Sequence, residues 1–321
     1  MKKKNIFVTR QIPEIGLRLL TQSGARVDVN PEDRALTRKE LLKGVQGRDA
    51  VLCLLTDRID DEVMAAAGPQ CQIFSNCAVG YNNIDLEAAQ RRGLRITNTP
   101  GVLTDATADF TWALLFAAAR RVVESDAFMR TGQWQGWGPL QFLGTNVSGA
   151  TLGIVGAGRI GENVALKSIG FGMRVLYTHP RKNFVLEKSL RAARVDLDVL
   201  LAQSDFISLH VPLTEKTRHL ISSREFGLMK PHAILINTAR GPVVDENALV
   251  KALRENRIAG AALDVYENEP VTAPGLLDLP NVVACPHLAS ATKEARSRMA
   301  DIAARNLLAV LNGNEPLHAV V

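Results

Sequence analysis

The chain has little of what holds a small secreted fold together. Its 321 residues include four cysteines, Cys53, Cys71, Cys77 and Cys285, and none stands in a CxxC or other zinc spacing. They read as buried free thiols, and no metal is expected. Long apolar runs are missing as well. The longest, Trp112–Ala119, falls short of the roughly 20 residues that a membrane-spanning helix needs, so no membrane partner is expected. The basic start Met1–Lys4 leads to Ile6-Phe7-Val8 and then at once to Thr9-Arg10, without the apolar core of a secretory signal. The expected location is the cytoplasm. Charge of one sign is not concentrated either. The net charge is +5, with basic residues scattered and no arginine-rich tract. That argues against nucleic acid and for small anions as partners.

What is present is alternation. Strands are predicted at Asn5–Thr9, Ala50–Leu54, Cys71–Ser75 and Arg95–Thr97. Helices are predicted between them at Glu14–Gln22, from the capping box Thr37-Arg38-Lys39-Glu40 to Lys43, at Asp61–Ala67 and at Leu86–Arg92. After Asn98-Thr99-Pro100-Gly101 comes one long helical stretch, Thr104–Arg130, and then a loop rich in Gly and aromatics, Thr131–Gly144. The alternation then resumes, with strands at Arg174–Tyr177, Phe206–His210, Ala233–Asn237, Ala261–Val265 and Val282–Ala284. Helices are predicted at Leu197–Gln203, Ser222–Leu228, Glu246–Glu255 and Lys293–Leu311. This pattern predicts an α/β chain with parallel sheets and helices on their faces, in two units of unequal size.

The stretch Thr151–Gly161 organises the second unit. Thr151–Val155 reads as a buried strand, Gly156-Ala157-Gly158-Arg159-Ile160-Gly161 is a G-x-G-x-x-G, and a helical pattern runs from Ile160 to Ile169. In that context the first glycine permits a tight turn, the second lets backbone approach a pyrophosphate, and the third lets helix and strand pack closely. Dinucleotide binding follows as the expectation. About twenty positions beyond the glycines such units carry an acid for the ribose hydroxyls. Here the second strand ends in Thr178-His179-Pro180-Arg181-Lys182, with no Asp or Glu. A guanidinium and an ammonium would attract a 2′-phosphate. NADP is therefore expected over NAD, with NAD still possible.

Three later stretches sit at the ends of predicted strands, where ligands collect in doubly wound sheets. They are Ile236–Gly241, Leu263–Pro270 and Cys285–Thr292, and each offers one candidate catalytic group: Arg240, Glu269 and His287. Such a set suits reduction of a 2-oxo acid. A guanidinium grips the carboxylate with two bonds, an imidazolium protonates the carbonyl oxygen, and a carboxylate beside the imidazole orients it. Taken singly, each residue also fits a structural role, and spacing does not prove that they converge.

The sequence resembles the D-isomer-specific 2-hydroxyacid dehydrogenases, in particular their glyoxylate and hydroxypyruvate reductase branch. The matching stretches are Ala78–Asp85, Asn98–Thr104, the glycine cradle, Asn237–Asp245, Asp264–Pro270 and Pro286–Thr292. The resemblance implies two Rossmann-like domains with the active site in the cleft between them. The substrate domain would be 1–98 plus 291–321, and the dinucleotide domain 99–290. It implies Arg240 for the substrate carboxylate, helped by the N–H groups of Val79 and Gly80, with His287 as proton donor and Glu269 as its partner. It implies Gly156, Ala157, Gly158, Arg159 and Ile160 at the pyrophosphate and His179, Pro180, Arg181 and Lys182 at the adenosine ribose. Thr238, Ala239, Arg240, Asp264, His287 and Ala289 would lie near the nicotinamide. It further implies a homodimer in which Trp137 either reaches the partner's active site or packs in the interface. Ala289 replaces a frequent Gly of the family, and Asn82 a frequent Asp. The activity implied is NADPH-dependent reduction of glyoxylate or hydroxypyruvate to the D-2-hydroxy acid. The alternatives are 2-ketogluconate reduction, another D-2-hydroxyacid dehydrogenase activity, or a non-catalytic dinucleotide-sensing protein.

Overall fold

A computed structural model describes residues 3–321; Met1 and Lys2, part of the basic start, lie outside them. The chain divides into two units, one of residues 1–103 and 291–321, the other of residues 104–290.

The first unit runs β1 (Asn5–Val8), α1 (Glu14–Gln22), β2 (Arg26–Val29), α2 (Arg38–Val45), β3 (Ala50–Cys53), α3 (Asp61–Ala67), β4 (Ile73–Asn76), α4 (Leu86–Arg91) and β5 (Arg95–Thr97). All pairs are parallel, in the order β2-β1-β3-β4-β5. Strands β3 and β4 are buried along their whole length, as a sheet covered by helices on both faces requires. Polar side chains start α2, α3 and α4. Thr37 forms a capping box with Glu40, and Asp60 and Asp85 accept N–H groups of their own first turns, satisfying donors the helix cannot pair internally. One face of the sheet is closed by the last helix of the chain, whose Met299, Ala300, Ala303, Ala304 and Leu307 pack with Ile6, Val8, Leu20 and Ile73.

The second unit runs α5 (Thr104–Ala119), α6 (Val122–Arg130), β6 (Thr151–Val155), α7 (Arg159–Lys167), β7 (Arg174–Thr178), α8 (Phe184–Leu190), β8 (Ala193–Arg194), α9 (Leu197–Gln203), β9 (Phe206–Leu209), α10 (Ser223–Leu228), β10 (Ile234–Asn237), α11 (Glu246–Arg254), β11 (Gly260–Leu263) and β12 (Val282–Ala284). The closing helix of the first unit is α12 (Lys293–Leu311). The second sheet is wholly parallel, in the order β12-β11-β10-β9-β6-β7-β8. The strand order reverses at β6, which pairs with both β7 and β9. In doubly wound sheets that reversal opens a crevice at the carboxyl ends of the strands. Register carries the argument further. Thr178, Val155, Leu209, Asn237, Leu263 and Ala284 pair in one row across the sheet. Every candidate residue of this unit except Trp137 follows directly after that row.

The single helix expected over Thr104–Arg130 is two helices. Arg121 takes a left-handed conformation (φ 52°) between α5 and α6. The chain returning from the aromatic loop occupies the end of α5, where Thr145 N donates to Ala119 O at 2.8 Å. Arg121 itself grips Glu124 and lies 5.4 Å from the centre of the Phe142 ring. With that carbonyl taken, the helix stops. From Trp112 to Ala119 helix α5 is wholly apolar; it lies over β10 and β11 and against α7, where Trp112 Nε1 donates to Val164 O. All four cysteines are free; Cys53, Cys71 and Cys77 are buried, whereas Cys285 keeps partial exposure. Among the described residues no helix is long and apolar enough to cross a membrane.

Candidate active site

The glycine cradle follows β6. Gly156 has φ 99°, a conformation that only glycine adopts without strain. A Cβ on Gly161 would fall 2.1 Å from Gly156 O, so any side chain there would separate helix from turn. At Gly158 a Cβ would meet nothing within 4 Å. Gly158 is also the N-cap of α7 and provides no side-chain cap. The first-turn N–H groups therefore remain available to an anion. The residues present thus fit a dinucleotide pyrophosphate: a tight glycine turn, a closely packed helix and an open approach.

The turn after β7 places His179, Pro180, Arg181 and Lys182 together, with Arg181 and Lys182 exposed. Two carboxylates in the vicinity are already engaged. Tyr177 Oη donates to Glu187, and Asn183 Nδ2 donates to Glu162 Oε2 at 2.7 Å. Asn183 also reaches Ala157 O at 3.2 Å, tying this turn to the cradle. Arg194, on β8, donates to His179 O and Pro180 O at 2.9 and 3.0 Å. Its distance along the chain gave no sequence signal for that role.

Arg240, Glu269 and His287 come from the ends of the adjacent strands β10, β11 and β12. Asn237 organises the first end: its Nδ2 donates to Arg240 O and its Oδ1 accepts Ala239 N, both at 3.0 Å. Burial pushes the Arg240 guanidinium down from its ordinary value, opposed by the Glu269 carboxylate nearby. Thr238 is buried, sharing a hydrogen bond of 2.9 Å with Thr111 of α5.

Asp264 organises the other two ends. Its carboxylate accepts Leu288 N at 2.6 Å and Ala289 N at 2.8 Å, and its carbonyl accepts His287 N at 2.9 Å. These bonds hold His287 at φ 57°, a backbone state that costs a non-glycine residue about 1–3 kcal/mol. Burial pushes the Asp264 carboxyl upward, partly offset by those two N–H groups. His287 Nδ1 then lies 2.9 Å from Glu269 Oε2, and Glu269 Oε1 accepts Tyr266 N at 3.1 Å. Burial alone would push Glu269 upward. The His287 ring, the Tyr266 N–H and Arg240 outweigh it and leave the carboxyl below its ordinary value. The structure therefore joins Glu269 to His287 directly and sets Arg240 within electrostatic reach of Glu269.

Val79 and Gly80 belong to the first unit and follow β4. Asn98 Nδ2 donates to Val79 O at 2.8 Å, and Asn76 Nδ2 donates to Gly80 O at 2.9 Å. Asn83 braces the same turn by donating to Leu54 O and Asp57 O. Both carbonyls are thus held by amide side chains. Trp137 is 84% exposed, on the loop after α6.

Residues 112–289 match the family model of the D-isomer specific 2-hydroxyacid dehydrogenase, NAD binding domain. The chain is 50% identical to a glyoxylate reductase of Thermococcus litoralis, over 99% of this chain and 97% of that enzyme. Its fold matches a crystal structure from Thermus thermophilus with TM-score 0.92 and 46% identity, covering 99% of this chain and 100% of that one. It also matches an NADPH-dependent glyoxylate/hydroxypyruvate reductase of Sinorhizobium meliloti in complex with NADP and malonate. There the TM-score is 0.86 and the identity 30%, over 100% of this chain and 97% of that one. With its two parallel sheets and its nicotinamide-dinucleotide cradle, the chain belongs to the D-isomer-specific 2-hydroxyacid dehydrogenases, in their glyoxylate reductase branch.

Proposed function

We propose that this 2-oxo acid reductase acts on glyoxylate or hydroxypyruvate with NADPH as its preferred reductant, through Arg240, Glu269 and His287. The observation that carries this reading is the 2.9 Å pair of His287 Nδ1 and Glu269 Oε2 beside the half-buried Arg240. Glu269 takes up Nδ1, which leaves Nε2 to deliver a proton to the substrate carbonyl oxygen. Arg240 grips the substrate carboxylate and sets the carbonyl against that nitrogen. The same carboxylate is assigned to the N–H groups of Val79 and Gly80. The bound nicotinamide supplies the hydride. Gly156, Ala157, Gly158, Arg159 and Ile160 are assigned to its pyrophosphate. Thr238, Ala239, Asp264 and Ala289 are assigned to the nicotinamide half.

His179, Pro180, Arg181 and Lys182 are assigned to the adenosine ribose and its 2′-phosphate. Two observations support NADPH: the exposed cations Arg181 and Lys182, and the engagement of Glu162 and Glu187 elsewhere. The S. meliloti relative, named as NADPH-dependent, points the same way.

The test is a kcat/KM panel over glyoxylate, hydroxypyruvate, 2-ketogluconate and pyruvate with both cofactors, run on wild type and His287→Ala. NADPH should exceed NADH with glyoxylate and hydroxypyruvate. His287→Ala should lower kcat about 10²–10⁴-fold while the NADPH Kd stays unchanged. A surviving kcat removes His287 as the acid. An NADH preference removes the cofactor assignment, and no turnover with any 2-oxo acid supports a dinucleotide-sensing role.

A further inference from the structure

The assigned set leaves one buried carboxylate behind it without a role. Glu246, the first residue of α11, is 4% exposed. Its Oε2 accepts Ala273 N at 2.8 Å, and its Oε1 accepts Glu267 N. Both donors belong to the loop after β11, and they stand on either side of Glu269. An apolar residue in this place would leave both half-buried N–H groups without this partner. A carboxylate meets both with charge-assisted bonds, the strong kind.

The same two segments are fastened elsewhere. A Cβ on Gly241 would lie 1.9 Å from the backbone carbonyl of Tyr266, so the two chains touch backbone to backbone. Glu267 Oε1 meets His219 Nε2 at 2.5 Å, and His219 N donates to Pro242 O at 2.8 Å. Arg240 immediately precedes the Gly241 contact. Glu269 lies inside the span that Glu246 holds. The separation between carboxylate grip and acid partner is therefore set by a buried clamp that touches neither.

We propose that Glu246 is a positioning residue for the reduction: its carboxylate holds the 267–273 loop so that Glu269 meets His287. The proposal rests on the assignment of Glu269 as the partner of His287.

Glu246→Gln keeps the shape but turns one acceptor into a donor facing an N–H. It should lower kcat about 10–100-fold, the scale of an ångström-sized misplacement. KM for glyoxylate and the NADPH Kd should change by less than about 3-fold. The pH profile of kcat/KM should move in the direction in which Glu269→Ala moves it. In a Glu269→Ala background, adding Glu246→Gln should cost less than about 2-fold in kcat, because the two act through one pair. Should Glu246→Gln prove insoluble, Ala273→Pro deletes the same bond from the donor side and replaces it in the cycle. Equal losses of kcat in both backgrounds, or a wild-type pH profile in Glu246→Gln, overturn the proposal. A wild-type kcat in Glu269→Ala alone overturns the assignment of Glu269 itself.

Discussion

His210, just past β9, shows how the surroundings of a residue decide its chemistry. Burial pushes its imidazole down to about 3, and its Nε2 meets Ser208 Oγ at 2.8 Å. Its carbonyl sits 2.7 Å from where a Cβ on Gly156 would be, beside the pyrophosphate turn. A neutral ring there adds no charge of its own. In the unfolded chain the same imidazole takes a proton near its ordinary value of about 6.5. Between pH 6.5 and 3 the unfolded state therefore binds the extra proton, and stability falls on acidification by up to about 1.4 kcal/mol per pH unit. His210→Gln should flatten that slope in denaturant titrations between pH 7 and 4; parallel slopes would refute it. Glu269, held below its ordinary carboxyl value, also loses its contribution on acidification, but only below about pH 4.5. Sequence reading reached Arg240, Glu269 and His287 because their residue types stand just past strand ends. It did not reach His210, Glu246 or Arg194, whose roles depend on partners remote in the chain. No local pattern marks a carboxylate as the clamp of a loop twenty positions away.

At the scale of elements, the cradle separates two functions that one motif string merges. Gly161→Ala would force a methyl group within 2.1 Å of Gly156 O. It should cost stability, about 1–3 kcal/mol as overpacking usually does, and NADPH affinity together. Gly158→Ala points its methyl group into open space. It should leave Tm unchanged and raise the NADPH Kd at least about 10-fold. Thermal unfolding and fluorescence titration of both variants check this, and a Tm loss in Gly158→Ala would contradict the second role.

Most strands were legible as apolar runs, and helix starts as capping patterns such as Thr37–Glu40. Strand β2 escaped because Arg26-Val27-Asp28-Val29 is an edge strand, never fully buried, with charge at alternate positions. Helix α8 escaped because it is short and its face carries exposed Phe184 and Val185. The α5–α6 break was illegible for a different reason: no proline or glycine stands at Arg121. The stop comes from a loop that returns twenty-odd residues later.

For the molecule as a whole, we propose that a second copy covers the surface around α6. That helix buries none of its own residues, and Val122, Val123, Met129, Trp134, Leu140 and Leu143 are at least half exposed alongside Trp137. Patches of this kind mark protein contacts. Sedimentation should give a dimer, and Val123→Asp with Leu140→Asp should give a monomer. Trp137→Ala tests the remaining choice: a dimer with lowered kcat places the ring at the partner's substrate, and a dimer with wild-type kcat places it in the packing.

The first unit is left at Leu103 and completed only when residues 291–321 return to it. During synthesis its five strands leave the ribosome first, yet Leu20, Ile6 and Ile73 wait for Met299, Ala303 and Leu307 of α12. The second unit, continuous in sequence, has everything it needs as soon as Ser290 emerges. The usual N-to-C order of domain maturation is thereby reversed. The unit translated first is the last to be finished, and the face that α12 covers stays bare until the final thirty-odd residues are made.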